Sequence, residues 1–410
     1  MKTWVRLLCV LLLVPYAGLF AQEEALRYSV RGTVRDQETG RPLSEVAVTL
    51  PGGRYATVTN MDGTFVIKSN VPPRSIVFSL LGYQTVTRTV PDQEDVTGLS
   101  VGMRRLAIAL DPARVVSGDP LSLMRAAIDK IPVNCPDSPE LFDCFYRETA
   151  QKRSRFIYIS EAVLKVYKSS FKTPFAIDRT AVVKSRLLTS PKPSDTLGVK
   201  VVGGPATAVD LDLVKLRQGI LDPTQLQYYH LKLLPSEVID DRMQFVIRMT
   251  PAVSPDFAMS SGTVYLDQET LAVTRIFLEL DVSDEEKATR AMLVKKPAGL
   301  RFKPKEMTLL LDYKREDGKN RLSYLKVLYR FNCDWRKKLW ATEFTAVSEM
   351  VVTHRHAQGE VVPIQRAEAF RSSESLSDRA RYFADPDFWK AYNIIEPTLS
   401  LEKAVGRLLK

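Results

Sequence analysis

Histidine is nearly absent from this chain: its 410 residues hold three, His230, His354 and His356. None is followed by glutamate three positions on, so the His-x-x-Glu pair and distant histidine of a zinc carboxypeptidase are excluded. Cysteine is almost as scarce. Of four, Cys9 sits in the N-terminal apolar run, and Cys135, Cys144 and Cys333 are too few, and odd in number, for a disulfide scaffold. Cys135 and Cys144 flank a Pro-Asp-Ser-Pro turn; one bridge with a free thiol, or three buried thiols, both fit. Gly-x-Ser-x-Gly, Walker and dinucleotide fingerprints are missing. Beyond the N-terminus no apolar run reaches the roughly 20 residues of a membrane span.

What is present at the N-terminus points to export. Lys2 and Arg6 precede an apolar run from Leu7 to Val14, then Pro15 to Gly18, small Ala21, and the polar Gln22, Glu23 and Glu24. That order predicts a signal peptide over residues 1–21. An uncleaved anchor is the alternative. Cys9 lies inside the run, not after a small residue at its end, which argues against a lipoprotein box. The formal charge of +10 falls to +8 on cleavage, since Lys2 and Arg6 leave together. Residues 22–106 hold ten basic and nine acidic side chains, so the excess lies beyond them. There the lysines are scattered among acids, as a solvated face or as a contact for acidic lipid headgroups or glycans. Export disfavours a nucleic-acid partner.

From Tyr28 to about Leu110 short β-prone runs alternate with turn signals. Turns at Glu38 to Pro42, Pro51-Gly52-Gly53 and Asn60-Met61-Asp62-Gly63 separate runs such as Val46 to Leu50 and Thr64 to Ile67. The period-two pattern predicts about seven strands in a small antiparallel sandwich. Gly32-Thr33-Val34-Arg35-Asp36, Thr39-Gly40-Arg41-Pro42-Leu43, Thr59 to Phe65 and Leu81-Gly82-Tyr83, in that order, resemble the carboxypeptidase-regulatory-like β-sandwich. The resemblance implies an accessory module, found at the N-terminus of many TonB-dependent receptors and other envelope proteins, and not itself a peptidase.

The rest of the chain reads as a connector over residues 107–118 and a β-rich domain over 119–410. Asp119 and Pro120 form a cap and first-turn pair, with Leu121, Met124, Ile128 and Ile131 at helical spacing down to a break at Pro132. Strands follow at Phe145 to Glu148, Ile157 to Tyr167 and Met243 to Met249. Hairpins are predicted through Asp267 to Thr270 and through Glu316-Asp317-Gly318-Lys319. Phe344 to His356 and Glu360 to Ile364 predict another, turning at Ala357-Gln358-Gly359. Leu211 to Leu233 reads as a helical cover, and Leu401, Ala404, Val405 and Leu408 as one face of a terminal helix. That helix docks on the sheet or, given Lys403, Arg407 and Lys410, lies on a membrane surface. The predicted fold class is therefore mostly β: a small Greek-key sandwich followed by a larger α+β domain on a curved antiparallel sheet, a half-barrel in its most curved form. Ala126 to Pro132, Phe145-Tyr146-Arg147-Glu148, Glu161-Ala162-Val163 and Asp387 to Asn393 resemble uncharacterised envelope proteins bearing the same N-terminal module. That similarity implies shared architecture and no known activity.

Residues able to do chemistry are sparse. His354 and His356 share one side of a strand, a spacing that suits a metal, but no third ligand is adjacent in sequence. Ser169-Ser170-Phe171-Lys172 matches Ser-x-x-Lys without its companion motifs. Asp210 with Asp212, Asp240 with Asp241, and Asp284 to Glu286 fall near turns, where carboxylates are commonly solvated. Tyr228, Tyr229, Trp335, Trp340 and Trp389 offer a sugar or lipid platform, or core. No catalytic, cofactor or metal residue is assigned. The expectation is a non-catalytic envelope protein of the periplasm or the periplasmic face of the outer membrane, with a protein, lipid or glycan partner. A glycan or peptide hydrolase and a small outer-membrane barrel are the alternatives. Charged Glu161 and Lys165 beside Ile159 and Val163 argue against the barrel.

Overall fold

The computed structural model describes residues 26–106, 118–192, 195, 198–335, 341–371, 376 and 392–408. The predicted signal peptide, most of the connector, and Trp340 and Asp387 to Ala391 lie outside the described residues.

Seven strands build the N-terminal sandwich: β1 (Tyr28–Asp36), β2 (Ala47–Thr49), β3 (Ala56–Val58), β4 (Thr64–Ser69), β5 (Ser75–Ser79), β6 (Val86–Thr89) and β7 (Asp95–Met103). One sheet runs β4-β1-β7 and the other β3-β2-β5-β6. Alternation places Val30, Val34, Val48, Phe65, Ile67, Ile76 and Phe78 in a shared core, where Phe65 meets Phe78 edge to face at 5.3 Å. One pairing departs from the antiparallel expectation: β1 and β7 run parallel. Parallel partners need a long crossover, and five strands of the chain lie between these two. Gly32 of β1 explains its place in the motif. A Cβ there would lie 2.1 Å from the Leu99 carbonyl oxygen of β7.

The second domain opens with α1 (Pro120–Asp129), capped by Asp119, whose carboxylate accepts the Ser122 amide at 3.0 Å. Pro132 does not end the helical path. It falls in the first turn of a separate short helix, α2 (Ile131–Asn134), where its missing N–H costs nothing. The large sheet comprises β8 (Glu140–Lys152), β9 (Arg155–Lys168), β10 (Arg179–Thr189), β12 (Tyr229–Ile239), β13 (Arg242–Pro251), β14 (Ser260–Asp267), β15 (Val273–Leu280), β17 (Leu300–Glu316), β18 (Lys319–Trp335) and β19 (Thr342–Arg355). Its order is β10-β9-β8-β19-β18-β17-β15-β14-β13-β12, all antiparallel, curved and open at β10 and β12. A small pair, β11 (Lys200–Val201) with β16 (Leu293–Lys295), stands beside it. The β17–β18 turn has Asp317 and Gly318 at φ 48° and 76°, the positive values that a two-residue hairpin turn requires.

Two expected elements differ. Residues after β19 do not return as a hairpin: Gln358–Glu360 forms a single helical turn, and β19 pairs with β18 and β8 instead. The helical cover ends at Tyr228, and Tyr229 onward is strand β12. The cover itself is α3 (Pro205–Asp210), α4 (Leu213–Leu216) and two short turns, packed with α1 and α2 into the largest apolar core.

Period two then sorts the sheet into two buried faces. Cys144, Tyr146, Leu311, Leu325 and Met350 join the helix-covered core, while Phe145, Val163, Leu310, Tyr324 and Val351 meet Val58 and Val66 of the sandwich. The sandwich thus lies across one face and the helices across the other. Residues 392–396 form a wedge at this junction. The Asn393 amide accepts from the Lys68 N–H at 2.6 Å and donates to the Lys68 carbonyl at 2.8 Å. Thr57 donates to the Ile394 carbonyl at 2.8 Å. At the far end Gly82 donates to Val238, and Asp241 of the β12–β13 turn accepts the Thr85 amide. The terminal helix, α6 (Leu399–Leu408), docks Leu401 and Ala404 on Ile159 and Leu188.

Acid sensitivity is built into the β14–β15 turn. Asp267 is buried; burial pushes its carboxyl up, but hydrogen bonds from Arg242, at 2.5 and 2.8 Å, and from Thr270 outweigh this and hold it at about 2. A folded value below the unfolded one of about 3.9 stabilises the protein above pH ~4, and the gain is lost as pH falls toward 2. Asp267→Asn is therefore expected to cost on the order of 2 kcal/mol at pH 7, with the gap to wild type closing toward pH 2. Urea titrations across that range read it directly.

Candidate functional site

Tyr146 and Glu148 alternate with Phe145 and Arg147 along β8, so the Phe-Tyr-Arg-Glu run sends two polar groups to the helix-covered face. There Glu148 lines a cavity of about 520 Å³ whose walls include Ala150, Ile157, Val199, Val201, Tyr329 and Ala346, and Tyr146 lies fully buried behind it. The Tyr146 hydroxyl donates to Glu148, accepts the Gly204 amide at 3.1 Å and lies 2.8 Å from Ser348 Oγ. Burial raises the Glu148 carboxyl above its ordinary range, against the pull of Tyr146, the Gly204 amide and Lys200. Burial also drives the Tyr146 phenol well above its usual value. Asp195 stands at the rim, clasped by Arg155 at 2.5 and 2.6 Å and by Ser190 at 2.7 Å. An apolar chamber with one convergent polar cluster is the form of a small-molecule site, and its size falls within the usual range of about 300–1,000 Å³.

The two paired histidines lie elsewhere, where the sandwich meets the end of β19. A register shift between Val352 and His354 sets His354 opposite Asp143 of β8. His356, just past the strand, donates its backbone N–H to Leu141. Asp143 Oδ2 then lies 3.5 Å from His354 Nδ1 and 3.1 Å from His356 Nε2. The third ligand that sequence adjacency lacked is thus supplied 211 residues upstream. Burial raises the Asp143 carboxyl, but the two imidazoles outweigh it and hold it at about 2. His354 also stacks on Tyr55 of the sandwich, rings 4.8 Å apart.

The other candidates resolve into structure. Ser169 is not paired with Lys172; its Oγ accepts from Lys215 at 2.9 Å. Lys215 is buried and also donates to the carbonyls of Ser169, Ser170 and Thr173, which leaves no free lone pair to act as a base. Asp212 is buried between Lys168, at 2.8 Å, and the Tyr313 hydroxyl, at 2.7 Å, while Asp210 is exposed. Asp240 pairs with Lys314 at 2.8 Å. Asp284 caps α5 (Glu285–Met292), in which Glu286 pairs with Arg290. Cys135, Cys144 and Cys333 are free and buried; burial pushes the Cys135 and Cys333 thiols up to about 12. Tyr229 is buried and Tyr228 exposed, Trp335 ends β18, and Trp340 and Trp389 lie outside the described residues.

Sequence reasoning missed the cavity because its walls come from β8, β9, β18, β19 and the 199–204 segment that holds β11, distant in the chain. The one signal was the polar Glu148 two positions from Tyr146, on the same side of β8.

Residues 30–111 match the family model described as the CarboxypepD_reg-like domain. No curated protein matches the chain. Among solved structures, a DUF1329 family protein from Desulfovibrio piger is 12% identical, with 62% of this chain and 100% of that one covered, at a TM-score of 0.28. MucB in complex with MucA(peri) is 13% identical over 57% of this chain and 94% of that one, at 0.17. A lipovitellin structure is 7% identical over 58% and 27%, at 0.28. No described helix is long and apolar enough to cross a membrane.

Proposed function

We propose that this chain, which carries a CarboxypepD_reg-like domain at residues 30–111, is an exported, non-catalytic binding protein of the cell envelope. Its cavity would take a ligand with an apolar chain and a hydrogen-bonding head, such as a lipid, and its sandwich would act as an accessory module. The observation that carries this is the mostly apolar chamber of about 520 Å³ lined by Glu148 and Ser348, both held from behind by the buried Tyr146 hydroxyl. Export rests on the N-terminal charge, apolar run and small residue at Ala21.

The hydrolase alternative would use Asp143, His354 and His356. The cleft beside His354 has a volume of about 50 Å³ and is lined by neither Asp143 nor His356, so among the described residues no substrate-sized cleft brings the three together. The barrel alternative meets an open sheet whose second face carries Arg147, Glu161 and Arg186 beneath the sandwich.

Ala346 sits on the cavity wall between Ala150 and Tyr329 in register. Ala346→Trp is expected to fill the chamber and lower the affinity for a fluorescent fatty acid at least 10-fold, with the circular dichroism of wild type. Lipid extraction and mass spectrometry of the native protein should find a bound amphiphile in wild type and not in the variant. An empty wild-type protein that also ignores the probe would overturn the proposal.

A further inference from the structure

We infer that Asp143, His354 and His356 form a divalent transition-metal site, suited to Zn²⁺, that fastens the sandwich to the large sheet. The donor atoms are already close to a coordination polyhedron. Around a tetrahedral zinc with bonds of about 2.0–2.2 Å, neighbouring ligand atoms are about 3.3 Å apart. Asp143 Oδ2 stands 3.1 Å from His356 Nε2 and 3.5 Å from His354 Nδ1, and all three donor atoms lie within 4.8 Å of one another. A hydrogen bond accounts for the first distance but is poor at the second.

The chemistry of the set also fits. One oxygen of Asp143 turns to both imidazoles, and its other oxygen, buried, has no hydrogen-bond partner. Two imidazole nitrogens and a carboxylate suit zinc and its neighbours rather than calcium or magnesium, which take oxygen ligands. An outer partner is in place as well. Glu360 Oε2 lies 3.6 Å from His356 Nδ1, the nitrogen facing away from Asp143, where a carboxylate would orient the ring and raise its basicity. The cluster uses two of the three histidines in 410 residues, and the bulge that aligns them interrupts an otherwise regular strand.

The site's position gives it a consequence. His354 stacks on Tyr55, the two residues form a β-bridge, and the next amide, of Arg355, donates to the Arg54 carbonyl at 3.1 Å. A metal that immobilises His354 therefore immobilises the edge against which the β2–β3 turn docks.

The test is isothermal titration of EDTA-stripped full chain with ZnCl₂, paired with the visible spectrum of the Co²⁺ form. Wild type is expected to bind one Zn²⁺ per chain and to give the intense bands of low-coordinate Co²⁺. His356→Gln and Asp143→Asn should each lose at least 10-fold in affinity. His356→Gln lies outside the β19 ladder, so it keeps the fold, and His230→Gln, on exposed β12, should bind as wild type. Hydrogen exchange at Tyr55 and Arg355 should slow on adding Zn²⁺. Binding equal in wild type and the two site variants, or the pale spectrum of hydrated Co²⁺, overturns the site. Tight binding with unchanged exchange at the junction overturns the clamp.

Discussion

Glu161→Ala is expected to destabilise the protein by about 3–5 kcal/mol, as removal of one partner of a buried ion pair does. Glu161 is fully buried and accepts from Arg147 at 2.7 Å and from Arg186 at 2.5 Å. Arg147 is itself 4% exposed and also donates to the Ile395 carbonyl at 2.6 Å. Deleting the carboxylate leaves the buried Arg147 guanidinium with the Ile395 carbonyl and a longer contact to Glu349, at 3.4 Å, where water cannot replace the lost partner. Because Arg147 holds the 392–396 wedge, the variant should also loosen the junction. Guanidinium denaturation would show a lower midpoint, and limited proteolysis earlier cleavage near Ile395. Glu161→Gln keeps the shape and an acceptor and should fall between the two. A loss below about 1 kcal/mol would mean that the junction hydrates, contrary to the packing described.

Phe331→Ala is the second large effect, expected to cost about 3–5 kcal/mol. Phe331 is fully buried on β18, with Phe302 of β17 at 4.8 Å and Phe344 of β19 at 5.9 Å. The three rings form a ladder across adjacent strands, so truncation removes the transfer free energy of one ring and leaves two others facing a void. Thermal denaturation should fall by several degrees while the far-ultraviolet spectrum stays β-rich. Phe331→Leu, which refills part of the volume, should recover much of the loss. The two substitutions strike different faces of one sheet, Glu161 beneath the sandwich and Phe331 beneath the helices, so their costs should add.

Local chemistry was legible where a turn or a cap leaves few residue choices, and misleading where it does not, as at Ala357-Gln358-Gly359. Asp317-Gly318 signalled its hairpin because two consecutive positive φ angles leave few residue choices. Asp119-Pro120 signalled the start of α1 because the cap and the missing N–H act inside one turn. The strand runs of the sandwich were visible for the same reason, while the parallel β1–β7 pairing, set between strands far apart in the chain, was not. The pairing of β19 with β8 was equally hidden, since about 200 residues separate them and Glu360 to Ile364 offered a nearer but wrong partner.

The candidate sites divide in the same way. His354 and His356 were evident as a pair, and Phe145-Tyr146-Arg147-Glu148 as a strand and a motif. Their roles depended on neighbours that no spacing rule reaches: Asp143 brought opposite His354 by a bulge, and Gly204 and Ser348 brought onto Tyr146. By itself the sequence determined the sandwich, the β-rich class and the lack of the His-x-x-Glu pair of a zinc carboxypeptidase, because each rests on composition or on contacts within a turn or a strand. Tertiary structure alone decided the register of the ten-stranded sheet, which of its faces each side chain serves, and the cavity and histidine cluster that result. Register is a cooperative outcome of many weak side-chain contacts summed across the sheet, and a shift of one residue would send Tyr146 and Glu148 to the sandwich and Arg147 into the cavity.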